Sequence, residues 1–198
     1  MQKGKTFIIS GPSGVGKSTV LKALLEKRSN LYFSISATTR EPRPGEVDGV
    51  HYRYMDVDAF RERIANEEFL EYAEYVGNFY GTPKKYVDEA MDAGQDVILD
   101  IEIQGALQVC DKRPGTPRIF IAPPSWAELE RRLTERGTDS PEKVQKRLLR
   151  AKVEFQTAHT YDYFVINDTV ETAVAELDAI MTAEHCKPSD RMEIISGR

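Results

Sequence analysis

Gly11-Pro12-Ser13-Gly14-Val15-Gly16-Lys17-Ser18 fills every fixed position of the pattern G-x-x-x-x-G-K-[ST]. The residues around it suit the same reading. Thr6-Phe7-Ile8-Ile9-Ser10 before it has the apolar, β-branched character of a short buried strand, and Val20, Leu21, Leu24 and Leu25 after it form one apolar helix face. A strand, a tight glycine turn and a helix start make a cradle for phosphate. Glycines let the backbone aim its N–H groups inward, and the first helical turn adds unpaired N–H groups and the positive end of its dipole. Lys17 supplies a point charge for the outer phosphates, and the Ser18 hydroxyl a ligand for Mg²⁺. The loop therefore predicts a nucleoside triphosphate and a metal ion. It leaves the phosphate acceptor open, since motors, switches and small-molecule kinases all use this cradle.

Working outward, three further apolar runs read as strands covered on both faces: Val97-Ile98-Leu99-Asp100-Ile101, Ile119-Phe120-Ile121 and Phe164-Val165-Ile166. Helical patterns alternate with them. Ser125-Trp126-Ala127-Glu128 is a capping box, Ser140-Pro141 an N-cap with a first-turn proline, and Asp168 with Glu171 a start for the last helix. The alternation predicts an α/β fold, a P-loop NTPase core with a mostly parallel sheet flanked by helices. Asp100 ends a predicted strand, where such folds often place an acid near the metal.

Two stretches break the rhythm. Residues 36–89 are rich in Tyr, Arg and Glu, with turn signals at Arg43-Pro44-Gly45 and Asp48-Gly49, and predict a small, partly antiparallel insertion. Residues 126–158 are highly charged, with Arg131, Arg132, Arg136, Arg147 and Arg150, and read as a mobile flap. The core is then expected in residues 1–35, 90–125 and 159–198, with residues 186–198 a polar tail.

Composition narrows the function classes. A chain of 198 residues is long enough for one substantial core with small insertions. Its net charge of -5 argues against coating nucleic acid, which needs an excess of Lys and Arg. No run approaches the ~20 apolar residues that cross a bilayer, and the N-terminal apolar stretch is too short for a signal peptide, so a cytoplasmic protein without a membrane partner is expected. Cys110 and Cys186 read as free thiols, and His51, His159 and His185 are too scattered for a zinc site.

The insertion contains Ser36-Ala37-Thr38-Thr39-Arg40-Glu41-Pro42-Arg43-Pro44-Gly45-Glu46. Two arginines three apart, around a proline that limits the backbone, can bring two planar forks onto one anion. The hydroxyls of Tyr52 and Tyr80 could add donors. Each of these residues also has an ordinary reading: surface Arg for solubility, Tyr as core, Glu71 as an exposed charge.

Over nearly its full length the chain resembles guanylate kinases, most like the bacterial ones. The resemblance rests on residues 11–18, on 36–46 with Gly49 and Tyr52, and on Glu68-Phe69-Leu70-Glu71. It continues through Gly77-Asn78-Phe79-Tyr80-Gly81-Thr82, Ile98-Leu99-Asp100-Ile101 and Ile121-Ala122-Pro123-Pro124-Ser125. Arg136-Gly137-Thr138 and Val165-Ile166-Asn167-Asp168 complete it. It implies a GMP-binding insertion at 36–89, a lid at 126–158, and transfer of the γ-phosphoryl group of ATP to GMP with Mg²⁺. By resemblance, Arg40, Arg43, Tyr52 and Tyr80 look like the clamp on the GMP phosphate. Ser36, Glu71 and Thr82 look like guanine readers beside Gly81, with Asp100 close by and able to reach Mg²⁺ through water. Residues 11–18 with Thr19 look like the ATP cradle, Asn167 and Asp168 like contacts at the adenine end, and Lys17, Arg43, Arg136 and Arg147 like the catalytic cations. Related bacterial enzymes are often oligomeric, which makes a homo-oligomer an open expectation.

Chemistry supports Glu71 independently. Guanine presents N1–H and N2–H donors beside an O6 acceptor; a carboxylate accepts both donors, and a Ser or Thr hydroxyl can donate to O6. Adenine carries an acceptor at N1 and no 2-amino group, so it would leave Glu71 facing a lone pair. A site built on such groups can reject a mispaired base by as much as ~10⁴ to 10⁵.

Rival readings remain. Guanylate-kinase-like scaffold domains bind phosphopeptides without catalysis, but they look degraded at the phosphate loop and lid, which are complete here. A nucleotide switch would not need the acceptor clamp at Arg40, Arg43 and Tyr52. A kinase for another nucleotide would need a base reader other than Glu71.

Overall fold

A computed structural model describes residues 3–135, 140–189 and 191–192. The strands are β1 (Thr6–Ser10), β2 (Leu31–Phe33), β3 (Ala37–Thr38), β4 (Arg53–Tyr54), β5 (Phe69–Tyr75), β6 (Asn78–Pro83), β7 (Asp96–Asp100), β8 (Arg118–Ala122) and β9 (Tyr163–Ile166). The α-helices are α1 (Lys17–Lys27), α2 (Val57–Ala65), α3 (Lys84–Asp92), α4 (Ile103–Lys112), α5 (Trp126–Glu135), α6 (Pro141–Thr157) and α7 (Val170–Glu184). One sheet has five strands in the order β2-β7-β1-β8-β9, and a second has four in the order β4-β3-β6-β5. The first is the mostly parallel sheet of a P-loop NTPase fold, with β2 parallel to β7 and β8 parallel to β9.

The chain falls into two compact units. The first comprises Met1–Ile8 and Asn30–Thr116. Its main core joins Ile8 of β1, Val97 and Leu99 of β7, Val87 and Ala90 of α3, Ala106 and Val109 of α4, and Leu70 of β5. A smaller core lies under the second sheet, where Phe60 of α2 stacks on Phe69 at 4.4 Å and on Phe79 at 5.4 Å. Asp56 caps α2 by accepting the Ala59 N–H at 2.7 Å. The second sheet is partly antiparallel: β6 pairs antiparallel with both β3 and β5, while β3 and β4 run parallel.

The second unit comprises Ile9–Ser29 and Pro117–Arg198. Of the face read from the sequence, Val20, Leu21 and Leu24 are the buried residues of α1, and Leu25 is half-buried. The charged stretch 126–158 forms α5 and α6 with a core of their own, Leu129, Leu133, Val144, Leu148 and Ala151. Ser125 Oγ accepts the Glu128 N–H at 3.1 Å, completing the N-terminal half of the expected capping box.

Two local expectations are corrected. β9 is not covered on both faces: Phe164 is 52% and Ile166 44% exposed, because β9 is the outermost strand of its sheet. The last helix is capped by Thr169, whose hydroxyl accepts the Thr172 N–H at 3.2 Å; Asp168 lies one residue too early. Of the tail, residues 190 and 193–198 lie outside the described residues.

Candidate active site

The phosphate loop lies between β1 and α1, and its turn depends on glycine. Gly16 is the N-cap of α1 at φ 88°, a left-handed conformation that side chains rarely adopt, and no side chain caps the first turn. A Cβ on Gly16 would stand 2.6 Å from Asn167 Nδ2, and one on Gly11 would stand 2.3 Å from the Ile121 carbonyl oxygen. Lys17 and Ser18 are the first two residues of α1, followed by Thr19. Val15 is fully buried, and its N–H donates to the Pro12 carbonyl at 3.2 Å. The helix thus begins with first-turn N–H groups that no cap side chain takes, which suits an anion.

Beside this loop is a cavity of about 400 Å³ lined by Gly14, Gly16, Thr19, Arg132, Asn167 and Asp168, among others. Asn167 is only 4% exposed, and its Nδ2 donates to the Val15 carbonyl at 2.7 Å. The residue expected at the adenine end therefore also supports the loop from behind. Arg132, given no role from sequence, donates to the same carbonyl at 3.1 Å. Arg147 of α6 reaches the loop too, with Nη1 3.4 Å from Ser13 Oγ. Arg136 lies outside the described residues.

In the first unit a second cavity, of about 330 Å³, is lined by Ser36, Tyr52, Glu71, Tyr80, Gly81 and Asp100. Every one of these was expected in the acceptor site. Glu71 reaches it through an irregularity no periodicity reveals. Phe69 pairs with Pro83 and Glu71 with Thr82, so β5 carries one extra residue, Leu70, opposite a single step of β6. Such a bulge re-aims side chains. Consecutive residues Phe69, Leu70 and Glu71 are consequently all buried, Phe69 and Leu70 in the two separate cores and Glu71 at the cavity.

Burial raises the Glu71 carboxyl above its ordinary pKa, opposed by a hydrogen bond from Thr82 and the charge of Lys112. Thr82 is 1% exposed and donates to Glu71 Oε1 at 2.6 Å, so it acts at the cavity through Glu71. The first turn of α4 also lines the cavity, at Gln104 and Gly105, which belong to no motif.

Of the residues expected to clamp a phosphate, Arg40 and the Arg43 backbone meet at one carboxylate. Arg40 Nη2 lies 2.9 Å from both oxygens of Glu46, and Glu46 Oε2 also accepts the Arg43 N–H at 2.7 Å and the Tyr54 hydroxyl at 2.8 Å. These contacts, led by the Arg43 N–H, hold the Glu46 carboxyl at a pKa of about 2. The Arg40 guanidinium carbon stands 5.4 Å from the Tyr52 ring centre, and the Tyr52 and Tyr80 rings meet edge to face at 6.0 Å. Burial pushes the Tyr52 hydroxyl above its ordinary pKa, keeping it a neutral donor. Arg43 itself is exposed.

A family model described as guanylate kinase matches residues 3–184. The guanylate kinase of Thermus thermophilus is 54% identical over 190 residues, covering 96% of this chain and 86% of that protein. The guanylate kinase of Halalkalibacterium halodurans is 52% identical over 186 residues, covering 94% and 91%. Among solved structures, the crystal structure of guanylate kinase from Anaplasma phagocytophilum superposes with a TM-score of 0.75 at 34% identity, covering 96% of this chain and 90% of that one. A phosphate loop, a guanine-compatible carboxylate and an arginine–tyrosine cluster thus stand in a sequence that matches one family almost end to end, and this chain belongs to the guanylate kinase family.

Proposed function

We propose that this chain phosphorylates GMP to GDP at the expense of ATP by direct in-line transfer, with each residue role given below. ATP-dependent phosphorylation of GMP follows from membership of the family. The observation that carries the base assignment is the buried Glu71 carboxylate at a cavity it shares with Ser36 and Asp100, held by a hydrogen bond from Thr82. A carboxylate offers acceptors only, which pairs with the N1–H and N2–H edge of guanine and not with adenine.

In this reading Arg40, Arg43, Tyr52 and Tyr80 grip the GMP phosphate. The loop from Gly11 through Thr19 cradles the ATP phosphates, and Asn167 and Asp168 border the adenine. Little covalent chemistry falls to the protein; positioning and charge stabilisation do most of the catalysis. Lys17, Arg43, Arg136 and Arg147 balance the charge spread over the transferring group. Water competes with GMP as acceptor, so residues 126–158 act as a lid that completes the site on closure.

Among the described residues no three His, Cys, Asp or Glu side chains form a metal cage. Nucleotide-bound Mg²⁺ needs none, since it keeps waters and takes most other ligands from phosphate. The exposed Ser18 hydroxyl on the first turn of α1 suits such an ion, with Asp100 as a water-mediated partner. When bound, Mg²⁺ would neutralise phosphate charge. Among the described residues no helix is long and apolar enough to cross a membrane, and a cytoplasmic setting belongs to the same proposal.

A coupled assay offering ATP with GMP, AMP, CMP or UMP tests the assignment. Turnover with GMP at least a hundredfold above the others is expected. Equal turnover with AMP would remove Glu71 as base reader.

A further inference from the structure

β5 is an outermost strand of the second sheet, so among the described residues no strand lies along its outer edge. α4 supplies the missing partners there. The Gln108 amide takes both polar groups of one residue: Oε1 accepts the Tyr72 N–H at 3.1 Å, and Nε2 donates to the Tyr72 carbonyl at 2.9 Å. A primary amide carries a donor and an acceptor in one plane, so it binds a strand edge much as a neighbouring strand would. One turn further along α4, Lys112 Nζ donates to the Phe69 carbonyl at 2.8 Å. Gln108 and Lys112 are four residues apart and share a helix face, which continues three residues back to Gly105.

These two holds bracket the bulge. Lys112 fixes the residue before Leu70 and Gln108 the residue after Glu71, just where β5 and β6 step out of register. A bulge leaves its extra residue unpaired, which loosens the strand at the point where Glu71 must be aimed. Gly105, on the same face of α4, leaves room for the carboxylate, since a Cβ there would lie 2.8 Å from Oε2. Neither Gln108 nor Lys112 lines the cavity. Lys112 contributes charge as well. Burial is the largest influence on Glu71 and disfavours its ionised form; Thr82 and then Lys112 favour that form, and Glu102 opposes it. Asp100 of β7 is the third acid on the cavity wall, beside Glu71 and Glu102.

We propose that Gln108 and Lys112 are positioning residues for base selection: by pinning the bulged edge of β5 to α4, they aim Glu71 at the N1–H and N2–H edge of guanine. This rests on the reading of Glu71 as the base reader. Both side chains act through the backbone and through charge, and neither needs to touch the nucleotide. What they set is the preference for guanine over a purine that offers N1–H alone.

IMP keeps N1–H and O6 but lacks the 2-amino group, so the ratio of GMP to IMP affinity reports how well the carboxylate is aimed. By calorimetry on the full chain, the unaltered protein should prefer GMP about tenfold or more, the effect of one hydrogen bond to a charged group. Gln108→Met should weaken GMP about tenfold, cut that preference to about threefold or less and leave ATP affinity unchanged. Lys112→Met should reduce the preference in the same direction and move the acid limb of guanosine binding to higher pH, because a positive charge near Glu71 is gone. Lys112→Arg keeps the donor and the charge and should restore both. Lys112 is exposed, so Lys112→Met carries the test if Gln108→Met does not fold. A GMP-to-IMP preference left intact by these variants would overturn the proposal. An equal fall in GMP, IMP and ATP affinity, the mark of general loosening, would overturn it too. If the unaltered protein bound GMP and IMP equally, the reading of Glu71 itself would fail, a result distinct from both.

Discussion

Thr82 donates its hydroxyl to Glu71 Oε1 across 2.6 Å, and both side chains are almost wholly buried. Such a carboxylate is poorly solvated, which is why burial raises its pKa above the ordinary 4.5. For a carboxyl the sign is unambiguous: the fold favours the protonated form, so this group's contribution is present below the ordinary value and lost as pH rises through the raised one. Above that raised value the fold holds an ionised Glu71 at a cost to stability. Glu71→Gln should therefore leave the melting temperature of the ligand-free protein unchanged or higher. It should weaken GMP roughly 10- to 150-fold, the range for hydrogen bonds to a charged group, with ATP affinity unaltered. Equal GMP affinity by titration would end the guanine assignment.

The same shift sets a pH dependence. Guanine's donors need the ionised carboxylate, so GMP affinity should fall as pH drops through the raised Glu71 pKa. The phosphate of GMP titrates near pH ~6 as well, so guanosine, which lacks it, is the cleaner probe. Guanosine affinity should show an acid limb in the unaltered protein and none in Glu71→Gln. A limb that survives the substitution belongs to another group.

Gly105 sits in α4 so close behind Glu71 that a Cβ there would lie 2.8 Å from Oε2. Alanine is better than glycine inside a helix by up to about 1 kcal/mol, so Gly105→Ala should hold or slightly raise stability while pushing the carboxylate aside. GMP should bind about tenfold more weakly, as expected for about 1.4 kcal/mol of lost hydrogen bonding. An unchanged KM for GMP would mean the carboxylate moves without loss.

How much of this the sequence showed depended on whether function sat in spacing or in folding. The phosphate loop was legible because its chemistry is carried by consecutive residues at fixed intervals, Gly11 through Ser18. Of the residues expected in the acceptor site, Ser36, Tyr52, Glu71, Tyr80, Gly81 and Asp100 line one cavity, whereas Arg40, Arg43 and Thr82 do not. What aims Glu71 was not legible. The extra residue Leu70 interrupts strand alternation, and its signature, three consecutive buried side chains, looks in sequence like an ordinary buried run. Gly105, Glu46 and Arg132 were equally hidden, because each acts by approaching another residue far along the chain or by binding backbone. Asp168 was misread as a helix cap because Thr169 offers a comparable hydroxyl one residue later.

Glu46 joins Arg40, Arg43 and Tyr54 around one carboxylate. Its pKa of about 2 is depressed, so its contribution is present above the ordinary 4.5 and lost as pH falls toward 2. Glu46→Gln should reduce the acid-dependent part of unfolding in that window. It should also weaken GMP about tenfold by releasing Arg40, while guanosine, lacking the phosphate, binds as before. A matching loss for guanosine would show that the pocket as a whole, and not the phosphate clamp, depends on Glu46.

Arg147 reaches the phosphate loop from α6, with Nη1 3.4 Å from Ser13 Oγ. A long contact to a neutral hydroxyl is weak, so it is not what the arginine is for. A charge held beside the cradle suits a group that acts when charge develops on the transferring phosphoryl. Arg147→Ala should then lower kcat about 100-fold, the scale for losing one charge-stabilising donor in a transition state, and change KM for GMP less than threefold. Ser13→Ala removes the contact but keeps the charge and should stay within threefold of normal turnover. If Ser13→Ala reproduced the full loss, Arg147 would act by bracing the loop. If Arg147→Ala moved only KM, the side chain would belong to ground-state binding. Single-turnover measurements separate these outcomes by reporting the transfer step apart from product release.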